Sequence, residues 1–169
     1  MFRMRAWTYS NKIGEDEITV ARAVAREIPV SVKKVVNLTR ALKGMSVRQA
    51  RAFLERIIKQ EEYAPMWRYR KKIAHHRGVA DKWGVPQGKY PVKAARYILK
   101  LLDNVVANAE KKIDYRGDTE EFEEKLVIIH IAAHKGYTLK RYMPRAFGRS
   151  TPKFRHTSNV EIIVKFMGA

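Results

Sequence analysis

The amino-acid sequence predicts an α+β fold: three helices packed on a small antiparallel sheet, with a long projecting C-terminal β-hairpin. Two patterns carry this prediction. Apolar residues recur at helical spacing in three segments, near 32–42, 47–58 and 94–109. Two strand-like apolar runs, LVIIHIAA at 126–133 and VEIIVKF at 160–166, then lie about symmetrically around Ala146–Phe147, as the arms of one hairpin would. A third observation sets that hairpin apart. From Leu126 to Val160 there is no Asp or Glu, but seven Lys/Arg: Lys135, Lys140, Arg141, Arg145, Arg149, Lys153 and Arg155.

The elements follow in chain order. Residues 1–17 are polar and mixed in charge and read as an N-terminal arm, ahead of a single domain spanning 18–169. ITVARAVARE at 18–27 alternates loosely and reads as a short strand ended by Pro29. SVKKVVNLTRALKG at 31–44 reads as the first helix, with Ser31 as cap, Val32, Val35, Leu38 and Leu42 on one face, and Gly44 at its close. After a very short turn, SVRQARAFLERIIKQ gives the second helix. Ser46 and Gln49 have capping-box spacing there, and Val47, Ala50, Phe53, Leu54, Ile57 and Ile58 form the stripe. The third helix runs from Pro91 to about Lys112 through Ala94, Ala95, Ile98, Leu101, Leu102, Val105 and Ala109. Between the second and third helices, residues 61–90 hold Tyr63, Trp67, Tyr69, Trp83 and Tyr90 among seven Lys/Arg, broken by Pro and Gly, and read as an irregular basic and aromatic insertion. The long hairpin spans about 126–167. Each arm holds about 15 residues, so at roughly 3.3 Å per residue it reaches about 50 Å, too far to be buried in so small a domain.

Composition narrows the function. The apolar fraction of 46% is that of a globular chain, but 35 basic against 17 acidic residues leave +18. That charge suits a polyanion partner, through counterion release from phosphates. A basic amphipathic helix or lipid anchor for a membrane surface is not evident, and no apolar run nears the roughly 20 residues of a membrane-spanning helix. The opening MFRMRAW does not lead into a signal-peptide core, so a soluble intracellular protein without a membrane anchor is expected. With no cysteine, disulfides, thiolate metal sites and cysteine nucleophiles are excluded.

Chemistry-bearing motifs are sparse. The acidic block DYRGDTEEFEE at 114–124 reads as a solvated loop rather than a catalytic or metal-binding carboxylate pair. His75 and His76 are adjacent, while His130 and His134 share a strand face but stand too far apart for one ion; with no third ligand, no metal is expected. GxSxG, GxxxxGK[ST] and GxGxxG are all missing, so neither an enzyme nor a cofactor is expected. Most helical Lys and Arg are simply solvated. In the arm the bases lack acidic partners and alternate with Tyr137, Tyr142, Phe147 and Phe154, a pattern fit for phosphates and unpaired bases. RNA contact is expected for Lys135, Lys140, Arg141, Arg145, Arg149, Lys153, Arg155 and His156, and nucleic-acid contact also for the 61–90 insertion. The alternative is a helix-turn-helix DNA regulator at 31–60, with Gly44 in the turn and Arg48, Gln49 and Arg51 opening the reading helix.

The string PRAFGRSTPKFRHTSNVEIIV at 144–164 resembles the C-terminal signature of a universal large-subunit ribosomal protein family, the one numbered twenty-two in the universal scheme. SVKKVVNLTRALKG, VRQARAFLERI and ILKLLDNVVANAEKK are similar to its three helices, so the resemblance spans most of the chain. The 61–90 insertion is similar to the archaeal and eukaryotic branch, with an archaeal source favoured. The resemblance implies a structural, non-catalytic constituent of the cytoplasmic large ribosomal subunit that binds ribosomal RNA and supports assembly. It also implies a hairpin helping to line the nascent-peptide exit tunnel, with Arg145, Ala146, Phe147, Gly148, Arg149, Ser150 and Thr151 at the tunnel tip. Large-subunit RNA, neighbouring ribosomal proteins and the passing nascent peptide are the implied partners, with no homo-oligomer. Around Phe147 and STPKF the chain departs from the bacterial form, so that form's drug and stalling-peptide sensitivity is not carried over.

Overall fold

A computed structural model describes residues 18–115 and 117–167; the expected arm at 1–17 lies outside them. The elements are β1 (Val20–Ile28), α1 (Val32–Leu42), α2 (Val47–Ile58), β2 (Ala64–Pro65), α3 (Val79–Trp83), β3 (Gly88–Lys89), α4 (Val92–Ile113), α5 (Thr119–Lys125), β4 (Leu126–Leu139), β5 (Tyr142–Pro144), β6 (Ser150–Pro152) and β7 (Arg155–Phe166). The C-terminal strand β7 runs between β1 and β4, antiparallel to both. This is the expected α+β architecture, with the hairpin strands built into the sheet.

One core joins the layers. Val35, Leu38 and Leu42 of α1, Ala50, Phe53, Leu54 and Ile57 of α2, and Ile98, Leu102 and Val105 of α4 pack with Ala21, Ala23, Ile128, Val160, Ile162 and Val164 of the sheet. The helical stripes expected from spacing are the buried ones. Strand phase is less obvious. A bulge between Ile128 and His130 shifts the register against β7. It puts Leu126, Ile128 and Ile131 in the core and spares His130, which strict alternation from Leu126 would have turned inward.

Local signals act as spaced, with exceptions. Ser46 caps α2 by accepting from the Gln49 amide at 3.3 Å. Ser31 occupies the cap position of α1 in extended conformation, but its side chain makes no capping hydrogen bond, contrary to expectation. Gly44 turns the chain with φ at +86°, which costs glycine little. Pro91 sits at the cap position of α4, one residue before its first turn.

The helices number five among the described residues, three long and two short. The short ones escaped sequence reading because a single turn or two shows no periodicity. The acidic block is therefore corrected: it is not merely a solvated loop but carries α5. Asp118 caps that helix through the Glu120 amide, Phe122 is fully buried, and Glu123 is buried beside it. The 61–90 insertion is likewise ordered. Its ends pair as β2 and β3, and α3 lies between.

Candidate nucleic-acid interface

Beyond the sheet, β4 and β7 continue as a two-stranded arm paired out to Leu139 and Arg155. The Lys140–Arg141 and Lys153–Phe154 steps interrupt the ladder, and a second small hairpin, β5 with β6, completes the end. The turn closes through the Arg145 amide to the Arg149 carbonyl at 2.7 Å. Phe147 and Gly148 both take positive φ there. A centre at Ala146–Phe147 is thus where symmetry of the flanking runs placed it. Every residue from 139 to 156 is exposed.

Charge on the arm is uncompensated. None of the ion pairs among the described residues engages Lys135, Lys140, Arg141, Arg145, Arg149, Lys153 or Arg155. Arg145 Nε donates only to the Thr151 hydroxyl at 3.2 Å, and the His156 ring lies 3.1 Å from the Thr138 hydroxyl. Tyr142 and Phe154 pack edge-to-face across the arm, with ring centroids 5.9 Å apart, so they stiffen it. Phe147 differs. It is 97% exposed at the tip and has no ring partner among the described residues.

The arm's root is fixed by a group that sequence reading missed. Glu27 sits at an irregularity of β1 with φ at +53°, and its own amide donates to Asn159 Oδ1 at 2.7 Å. Its carboxylate accepts from the Thr157 hydroxyl and from the Tyr137 amide at 3.0 Å. Those bonds, the Thr157 one foremost, hold its pKa below the ordinary carboxylate value. The same spot explains Gly136, where an added Cβ would lie 2.5 Å from Thr157 Oγ1. A carboxylate from β1 thus serves the acid-free hairpin. The available signal was a lone Glu beside Pro29 at the end of a strand.

Other candidates resolve differently. Both His130 and His134 reach one oxygen of the fully buried Glu161, at 2.9 and 3.4 Å. The two rings, four residues apart on one strand face, thus converge on one carboxylate. Among the described residues no set of three such side chains forms a metal site. In the insertion, Trp67 donates its ring N–H to the Trp83 carbonyl at 3.3 Å and meets Trp83 edge-on at 5.7 Å, while Trp83 leans on Phe53. These two tryptophans close a satellite core. The helix-turn-helix reading loses its arginines: Arg51 bonds Glu123 at 2.6 Å and Asp103 at 2.8 Å, and Arg48 bonds Glu124 at 3.0 Å. Those bonds, led by Glu123, hold the Arg51 pKa above its ordinary value, and the base-reading face is occupied by carboxylates.

Comparison with known proteins gives the class to which this small α+β body and its unneutralised basic arm belong: ribosomal proteins of the large subunit. The sequence profile of the family described as Ribosomal protein L22p/L17e matches residues 23–165. The chain is 52% identical over 163 residues to the large ribosomal subunit protein uL22 of Staphylothermus marinus, covering 96% of this chain and 98% of that one. It is 53% identical over 163 residues to the same-named protein of Aeropyrum pernix, covering 96% and 99%, and 53% identical over 161 residues to that of Hyperthermus butylicus, covering 95% and 97%. The chain belongs to the Ribosomal protein L22p/L17e family, which is a family of structural proteins and not of enzymes. These relatives are archaeal, in agreement with the archaeal source favoured above.

Proposed function

We propose that this protein is a structural constituent of the large ribosomal subunit, in which the arm binds ribosomal RNA and reaches the nascent-peptide exit tunnel. One observation carries the proposal: an 18-residue stretch, 139–156, is exposed throughout, and its six Lys/Arg have no acidic partner among the described residues. A free protein gains nothing from such an arm. RNA phosphates supply the missing counter-charges, and release of condensed ions supplies affinity. Lys135, Lys140, Arg141, Arg145, Arg149, Lys153, Arg155 and His156 are the contacting set. The tip from Arg145 to Thr151 faces the tunnel, where Phe147 meets RNA or the passing peptide. Neighbouring ribosomal proteins pack against the body.

Sedimentation of the tagged protein with large subunits through high salt, followed by crosslink mapping, tests this. Co-sedimentation with RNA crosslinks concentrated in 135–156 is expected. Release from the subunits in high salt, or crosslinks confined to the body, would overturn it.

A further inference from the structure

Once the tryptophans are accounted for, one aromatic of the insertion remains open. Tyr69 is 51% exposed and lies in the exposed basic run Arg68–Lys72. Its backbone is unusual, with φ at +59° for both Tyr69 and Lys72, a conformation that costs a non-glycine residue of order 1 kcal/mol. The loop is held there by Asn37 of α1. This buried side chain accepts from the Arg68 amide at 2.9 Å and donates to the Arg68 carbonyl at 3.0 Å. So bonded, the loop cannot collapse onto the body. It presents the tyrosine instead.

The surroundings are cationic. Lys33 Nζ lies 5.4 Å and the Arg68 guanidinium 5.8 Å from the ring centroid. Across a groove stand Lys135 and His156, one from each strand of the arm's root. No carboxylate lines this groove, and neither Lys33, Arg68 nor Lys135 joins an ion pair among the described residues. The aromatic ring and the cations come from three separate parts of the chain, and only the fold unites them.

We propose that the groove between α1, the Tyr69 loop and the arm's root is a binding site for one unpaired nucleotide of RNA, its base stacked on Tyr69 and its phosphate between Lys33 and Lys135. An exposed cation–π contact is worth only about 0.5–1 kcal/mol, so Lys33 and Arg68 can leave the ring for a phosphate while a base takes their place. Stacking contributes about 1–3 kcal/mol per base and tolerates any sequence. An acidic peptide would satisfy the lysines but leave the ring uncovered, which favours RNA. The site rests on the RNA-binding reading of the arm and extends it onto the body.

The test is titration of the full-length protein into a labelled single-stranded oligoadenylate of roughly ten nucleotides, within the usual site sizes. Tyr69→Ala should raise Kd by about tenfold, while Tyr69→Phe stays within about twofold of the parent, because the ring and not the hydroxyl does the stacking. The double variant K33Q/K135Q should reduce the log–log salt slope by about 1.4, at roughly 0.7 per cation. Thermal melting alongside shows whether each variant is folded; should Tyr69→Ala be unstable, the charge variant alone decides. If neither change weakens binding while neutralising Arg141, Arg145, Arg149 and Lys153 does, the groove is not a nucleotide site and the arm reading stands. If that arm variant also binds like the parent, the arm reading itself falls.

Discussion

At the scale of single residues, the arm's direction depends on Glu27. Its carboxylate holds the Tyr137 amide and the Thr157 hydroxyl, and its own amide is held by Asn159. Its pKa lies below the ordinary carboxylate value of 4.5, so the charged form favours the folded arrangement. That contribution is fully present above 4.5 and is lost as pH falls through the lower, folded-state value. An NMR titration should therefore show the Tyr137 amide shifting with a midpoint below 4.5, and Glu27→Gln should abolish the step. Gly136→Ala should be costly for a different reason. Its Cβ meets Thr157 Oγ1 at 2.5 Å in a packed strand pair, and overpacking of this kind costs about 1–3 kcal/mol. A lowered melting temperature, with the fold kept, is the expected result.

At the scale of elements, what the sequence shows depends on length. Stripes such as Ile98, Leu102, Val105 and Ala109 persist over about three turns of α4 and can be read without a structure. In α5 the buried residues are Phe122 and the charged Glu123, so no apolar period marks the helix; its cap Asp118 was lost among neighbouring acids. The β4 bulge is invisible too, since it shifts a phase rather than changing a composition. Of the site, the arm's bases were legible because no acid interrupts them. Glu27 was not, because it works through contacts more than a hundred positions away, and Tyr69 was visible only as one aromatic of the insertion, its placement depending on Asn37 about thirty positions earlier. The account gives α5 a structural role: it packs Phe122 into the core and supplies Glu123 to Arg51. Phe122→Ala should cost about 3–5 kcal/mol, read from chemical unfolding. An unchanged midpoint would show that α5 is ornamental to the fold.

For the whole molecule, the body and the arm divide the work. The buried core is built from the helices and the inner part of the sheet, with Val30 and Ala64 added, and its fully buried cluster includes no residue between 132 and 159. The RNA contact proposed for the arm should therefore be separable from folding by deletion. Replacing 139–155 with a two-residue Asn-Gly turn should leave a folded body, with native helical circular dichroism and cooperative melting. Under the proposed function the net charge of +18 has a plain interpretation: much of what repels within the free chain would be matched by phosphate after assembly.

The most direct measurement of that division is the salt dependence of binding to protein-free large-subunit RNA, compared between the whole protein and this deletion. Seven arm cations, each meeting one phosphate of largely single-stranded RNA at roughly 0.7 apiece, predict a log–log slope of about −5 or steeper. The deletion removes six of them and should reduce the magnitude by about 4. A whole-protein slope smaller in magnitude than about 2, or one unchanged by the deletion, would contradict the account.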